Sequence, residues 1–115
     1  DEKGLILLQA PGNDLVAANA LAASGAQIVL FTTGRGTPFA CPVPTVKIAS
    51  NSKLAGFKKN WIDFDAGALL AGEPAESVAD RFMDYILDVA SGRTRAKSEA
   101  LDKSELAIFK DGVTL

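Results

Sequence analysis

Apolar positions in this chain fall into short unbroken runs separated by Pro, Gly and Asn, with one long stretch at helical spacing. Gly4-Leu5-Ile6-Leu7-Leu8-Gln9-Ala10 has no alternation and is bounded by Pro11-Gly12. A run of that kind suits a strand covered on both faces, as in a parallel sheet. Asn13 or Asp14 can N-cap a helix over Leu15–Ser24, with Gly25 as its left-handed stop. Gln27–Thr33 reads as a second strand, giving a strand–helix–strand unit with a right-handed parallel crossover. Gly34–Pro44, with prolines at 38, 42 and 44, is a long loop at the carboxyl end of that strand.

Thr45–Ala49 alternates and predicts a third strand. Asn51 or Ser52 caps a short helix to about Lys59, and Trp61–Phe64 reads as a fourth strand. Glu73-Pro74 opens the clearest helix, with Val78, Phe82, Ile86 and Val89 as its stripe, Ala79, Met83 and Ala90 beside it, and Gly92 as its stop. Arg93–Glu105 is a surface loop or short helix, and Leu106–Lys110 a closing strand before an Asp111-Gly112 turn. The pattern predicts an α/β fold: residues 1–115 as one domain, three-layer, with a mostly parallel Rossmann-like sheet and helices on both faces.

Composition narrows the function classes. Hydrophobic residues are 48% and charged residues 23% of 115, which excludes disorder. Twelve basic against 14 acidic residues leave no basic face for nucleic acid. Histidine is absent, so this chain cannot by itself build a Ser-His-Asp triad, a Cys-His dyad or a His-ligated zinc site. The single cysteine, Cys41, excludes an intrachain disulfide and reads as a small packed residue. No apolar run approaches the ~20 residues needed to span a bilayer, and the acidic N-terminus is not a signal peptide; the expectation is a soluble cytoplasmic domain with no membrane partner.

In open α/β sheets ligands gather beyond the carboxyl ends of the strands. There the chain offers the loops Gln9–Asp14, Thr32–Cys41 and Ala49–Ser52. Thr32-Thr33-Gly34-Arg35-Gly36-Thr37 is the most informative string. Glycines flanking an arginine permit a tight turn, expose backbone N–H groups and present a planar fork that matches a carboxylate; the bland alternative is a turn with a solvated arginine. Asn13, Asp14, Asn51 and Ser52 are ligand groups or ordinary helix caps. Asp63 and Asp65 alternate with Ile62 and Phe64, placing two carboxylates on one strand face, either for a hard divalent cation or for solvent. Trp61, Phe82 and Met83 read as core, Lys58-Lys59 as exposed charges, and the apolar loop Pro38–Val43 as an exposed docking patch.

Thr32–Thr37 followed by Pro42-Val43-Pro44-Thr45-Val46-Lys47-Ile48-Ala49-Ser50-Asn51 resembles the C-terminal region of the altronate and galactarate dehydratases. Gln9–Asp14, Trp61–Gly67 and the ending Ala107–Leu115 look more like the altronate members. The likeness covers essentially the whole chain; one departure is Ala40, where many relatives carry glycine. The resemblance implies a hydro-lyase of hexuronate catabolism that converts D-altronate to 2-dehydro-3-deoxy-D-gluconate. It also implies a divalent metal, Fe(II) or Mn(II), held mainly by residues outside this segment, upstream SAF-type and middle domains, and a possible homo-oligomer. Arg35, with the amides of Gly34 and Gly36, then grips the substrate carboxylate. Thr32, Thr33, Asn13 and Asn51 hold sugar hydroxyls, and Asp14, Asp63 or Asp65 approach the metal. Galactarate dehydration, sulfolactate desulfonation and a purely structural assembly role stay open beside this reading.

Overall fold

The computed structural model describes residues 3–109 and Gly112. It is a small α/β domain built on a three-stranded parallel sheet: β1 (Val29–Thr33), β2 (Thr45–Ala49) and β3 (Phe64–Asp65), in that spatial order. Helices α1 (Asp14–Ala23), α2 (Ser52–Phe57), α3 (Ala75–Ala90) and α4 (Lys97–Ala100) and a 3₁₀ turn (Ala66–Leu69) complete it. Asn13 is the N-cap of α1: its Oδ1 accepts from the N–H groups of Leu15 and Val16, at 3.1 and 3.3 Å. Asn51 caps α2 in the same way through Leu54 N–H, at 2.9 Å.

Register explains where the core divides. Val29 lies opposite Thr45, Phe31 opposite Lys47 and Thr33 opposite Ala49, so these six share one face. On that face Val29 packs with Ala18 of α1 and with Phe39 and Cys41, while Ala49 packs with Leu54 of α2 and Ile62. Val46 and Ile48 point the other way, toward Phe64 and toward Phe82, Tyr85 and Val89 of α3. Flanked on both edges and both faces, β2 is buried at every position. Thr45–Ala49 is the strand that its alternation predicted, and even Lys47, at 3% exposure, is inside.

Several expected elements take other forms. Gly4–Ala10 joins no ladder, and residues 3–9 are exposed, Leu5 at 94%. An unbroken apolar run marks side chains fit for burial but names no partner, and the outer edge of β1 stays open among the described residues. The strand–helix–strand crossover therefore does not form here. Leu106–Phe109 likewise joins no strand among the described residues and is mostly exposed; Lys110 and Asp111 lie outside them. Trp61 and Ile62 turn back onto the Lys58 carbonyl, so the strand expected at Trp61–Phe64 begins only at Phe64.

The stripe of α3 is only partly buried. Val78 and Val89 are inside, Phe82 and Ile86 are half-buried, and Met83 is 55% exposed rather than core. Pro38–Val43 is not an exposed patch: Phe39, Ala40 and Cys41 are all buried. Phe39 meets Phe31 edge-on at 4.9 Å, and the Ala40 carbonyl accepts from Glu105 N–H at 2.7 Å. Arg93–Glu105 is anchored rather than superficial, with Ala96 and Ser98 buried and Ser98 Oγ donating to the Thr45 carbonyl at 3.0 Å.

Gly67 is fixed by space. A Cβ there would lie 2.2 Å from Ser52 N and 2.6 Å from the carbonyl carbon of Asn51, backbone atoms that cannot swing aside. Gly67→Ala should therefore cost about 1–3 kcal/mol by overpacking. Urea unfolding of the variant checks this; an unchanged midpoint would mean that the 3₁₀ turn moves freely off α2.

Candidate functional site

All three strands are parallel, so their carboxyl ends share one side of the sheet. Along β1 and past its carboxyl end runs an open depression of about 660 Å³, lined by Asp14, Leu30, Phe31, Thr32, Thr33, Gly34, Arg35 and Thr37. Five of the residues singled out for chemistry thus line one surface: Asp14, Thr32, Thr33, Gly34 and Arg35. Arg35 is exposed and, among the described residues, forms no ion pair, which leaves its guanidinium available to a ligand.

The loop that presents Arg35 is held from several sides. Thr33 Oγ1 accepts from Gly36 N–H at 2.9 Å, closing the turn around the arginine. Gly36 adopts φ +83°, the left-handed region that favours glycine. Asn51 Nδ2 donates to the Gly34 carbonyl at 3.2 Å, and Lys58 Nζ approaches the Gly36 carbonyl at 3.4 Å. Lys58 also lies over the Trp61 ring, 4.6 Å from its centroid, so it is tethered rather than a free surface charge. On the far side Cys41 N–H donates to Thr45 Oγ1 at 3.1 Å, fixing the return of the loop into β2.

The remaining candidates are placed as follows. Asn13 stands next to Asp14 and is occupied as the α1 cap. Asn51 divides its amide between capping α2 and holding Gly34. Asp65 Oδ1 accepts from Gly67 N–H at 2.8 Å and caps the 3₁₀ turn. Asp63 Oδ2 accepts from Lys47 N–H at 2.8 Å, and its Oδ1 accepts from Tyr85 O–H at 3.0 Å and Lys97 N–H at 2.8 Å. Among the described residues no three His, Cys, Asp or Glu side chains come together as a metal-holding group.

Two groups that sequence reasoning missed lie beside Asp63. Burial pushes the Lys47 ammonium below its ordinary pKa; the charges of Asp63 and Glu105 oppose this, and that of Lys103 adds to it. Burial raises the Tyr85 phenol well above its ordinary value, reinforced by the Asp63 charge and hydrogen bond and by the Glu99 charge. The only sequence signal for Lys47 was a lysine set between Val46 and Ile48 in an apolar strand.

With this geometry in view, comparison with known proteins assigns the class. Residues 1–114 match the family described as D-galactarate/altronate dehydratase, C-terminal, and the chain belongs to that family. It is 58% identical over 114 residues to altronate dehydratase of Bacillus subtilis (strain 168), covering 98% of this chain and 23% of that protein. It is 56% identical over 112 residues to altronate dehydratase of Escherichia coli (strain K12), covering 97% and 22%. Identity to galactarate dehydratase (L-threo-forming) of Escherichia coli (strain K12) is 37% over 111 residues, covering 94% and 21%. The chain thus spans less than a quarter of the length of these relatives. No helix among the described residues is long and apolar enough to cross a membrane.

Tyr85 is the single tyrosine, so phenolate absorbance reads it alone. A phenol pKa raised on folding contributes stability that is complete below the unfolded value near 10.0 and is lost as pH climbs above it. The phenolate signal should accordingly appear above pH 10 and together with alkaline unfolding, and Asp63→Asn should bring it back toward 10.0. Titration at the ordinary value in the unsubstituted chain would mean that Tyr85 does not hold Asp63.

Proposed function

We propose that this chain is the C-terminal domain of a hydro-lyase that dehydrates D-altronate to 2-dehydro-3-deoxy-D-gluconate, and that it supplies the surface gripping the substrate carboxylate. The observation that carries the reading is the Arg35 guanidinium, without an ion pair among the described residues, in a depression it shares with Thr32, Thr33, Gly34 and Asp14. Identity of 56–58% to altronate dehydratases, against 37% to a galactarate dehydratase, supports altronate as the substrate. In the same reading the sheet is the heart of a three-layer, Rossmann-like arrangement, which places its ligand at the carboxyl ends of the strands.

Dehydration of a 2,3-dihydroxy acid removes the weakly acidic proton next to the carboxylate and then expels the 3-hydroxyl. Negative charge grows on the carboxylate oxygens as that proton leaves. A planar guanidinium facing them in bidentate fashion stabilises the charge where it develops, and the loop contacts at Gly34, Gly36 and Thr33 hold the arginine's backbone in place beforehand. Thr32 and Thr33 can donate to and accept from sugar hydroxyls. Asn13 and Asn51 border the same loops, although in this structure their amides serve the helix caps.

A divalent metal, Fe(II) or Mn(II), would add Lewis acidity toward the substrate's oxygens. The described carboxylates do not gather into a site that fits one by themselves, so its ligands would come mainly from elsewhere in a larger protein. Asp14, which lines the depression, is the residue here that could reach such a metal. By itself the 115-residue chain should be catalytically silent.

The test uses the full-length enzyme carrying Arg35→Ala and follows 2-keto-acid formation from D-altronate and galactarate side by side. Turnover of altronate should be preferred, and the substitution should lower kcat/KM roughly 100- to 1,000-fold with folding intact. Arg35→Lys should recover only part of the loss, because an ammonium keeps the charge without the fork. Unchanged kinetics in Arg35→Ala would remove Arg35 from the site, and preferred turnover of galactarate would overturn the substrate.

A further inference from the structure

Lys47 lies mid-strand in β2 with 3% of its surface exposed. Among the described residues its ammonium has neither an ion pair nor a hydrogen bond; a nearby aromatic group is Phe39, whose ring centroid is 5.7 Å from Nζ. The stem of Lys47 is inside, but its ammonium is not sealed off: no fully buried side-chain nitrogen lacks a partner among the described residues, so Nζ keeps contact with accessible space. Asp63 and Glu105 are close enough for their charges to act on Lys47, yet neither comes within ion-pair distance. Asp63 has in addition committed both oxygens to the N–H groups of Lys47 and Lys97 and the Tyr85 hydroxyl.

The fold leaves room at this point. Lys47 lines a largely enclosed pocket of about 240 Å³ together with Pro38, Trp61, Ser98, Leu101 and Lys103. That volume is equivalent to roughly eight water molecules. Among the described residues both charged groups of the lining are lysines, and none is a carboxylate. The Ser98 hydroxyl proton is already given to the Thr45 carbonyl. The other walls, Pro38, Trp61 and Leu101, are apolar or aromatic. Two lysines set among Pro38, Trp61 and Leu101 match an anion with a short hydrocarbon part.

We propose that this pocket binds a small monocarboxylate, its oxygens paired with Lys47 and drawn by Lys103, its carbon skeleton against Trp61 and Leu101. The site is separate from the Arg35 depression and shares none of its lining residues. Pro38 belongs to the loop that carries Arg35, so an occupant would also brace that loop from below. The carboxylate could come from a free organic acid or from an Asp or Glu side chain elsewhere in the larger protein.

Trp61 is the single tryptophan and lines the pocket, so its emission reports occupancy. The 115-residue chain is titrated with acetate and propionate at constant ionic strength, with chloride and acetamide as controls. A saturable change in Trp61 emission and a rise in melting temperature are expected with the carboxylates and with neither control. Lys47→Met should fold at least as stably without ligand and bind at least about tenfold more weakly; Lys103→Ala should weaken binding by a smaller factor. The same titration of the full-length protein separates the sources: a retained response assigns a free acid, and a response confined to the short chain assigns a side chain that fills the pocket. Carboxylates acting no differently from chloride on the short chain, or Lys47→Met responding like the unsubstituted chain, would overturn the site.

Discussion

One carboxylate ties the separate parts of this domain together. Asp63 receives the backbone N–H of Lys47 in the central strand, the hydroxyl of Tyr85 in α3 and the N–H of Lys97 at the start of α4. Hydrogen bonds to a charged group contribute about 1.5–3 kcal/mol each, and removing the acceptor would leave three donors without a partner in a half-buried site. The flanking backbone is used as well, since Asp63 N–H donates to the Lys47 carbonyl and Lys97 Nζ donates to the carbonyls of Lys59 and Ile62. The sheet can be so short at β3 because this cluster, and not a long ladder, holds the third strand against the second.

From that fixed centre the candidate site is built outward through the loop after β1. The loop leaves the sheet at Thr33, turns around Arg35, and drops Phe39, Ala40 and Cys41 into the core before rejoining at Thr45. An exposed arginine on an untethered loop would lose much of its effect to conformational entropy on binding. Here the residues on both sides of it are tied to α2 through Asn51 and Lys58 and to the core through Phe39. Burial of the loop's apolar half is therefore what lets its polar half be presented in a defined place.

Apolar side chains are also left outside. Leu5, Leu7, Leu106 and Ile108 are at least 80% exposed, and Met83 and Leu87 on α3 are about half exposed. The outer edge of β1 has no partner among the described residues. Family relatives are more than four times as long as the segment they share with this chain. Under the proposed function this chain is one part of a larger enzyme, and such a part has reason to keep exposed apolar surface, because contacts between domains bury it in the same way that a core does.

Helices α1, α2 and α3, the two longer strands and the position of the Arg35 loop were legible in the sequence, because caps, helical spacing and proline-glycine punctuation are local properties. Asn13 and Asn51 stand as caps where their position before apolar runs placed them; of the three loops expected to meet, Asp14, Thr32, Thr33, Gly34, Arg35 and Thr37 line the depression and Ala49–Ser52 does not. The family was legible too, since its strings occur in order along the whole chain. Tertiary structure alone decided the rest. Whether the run Leu5–Leu8 pairs, whether Pro38–Val43 faces water, whether Lys47 is buried and what Asp63 holds all depend on which distant segment arrives next to each. Hydrophobicity and alternation state what a side chain tolerates, and only the packed neighbours state what it meets.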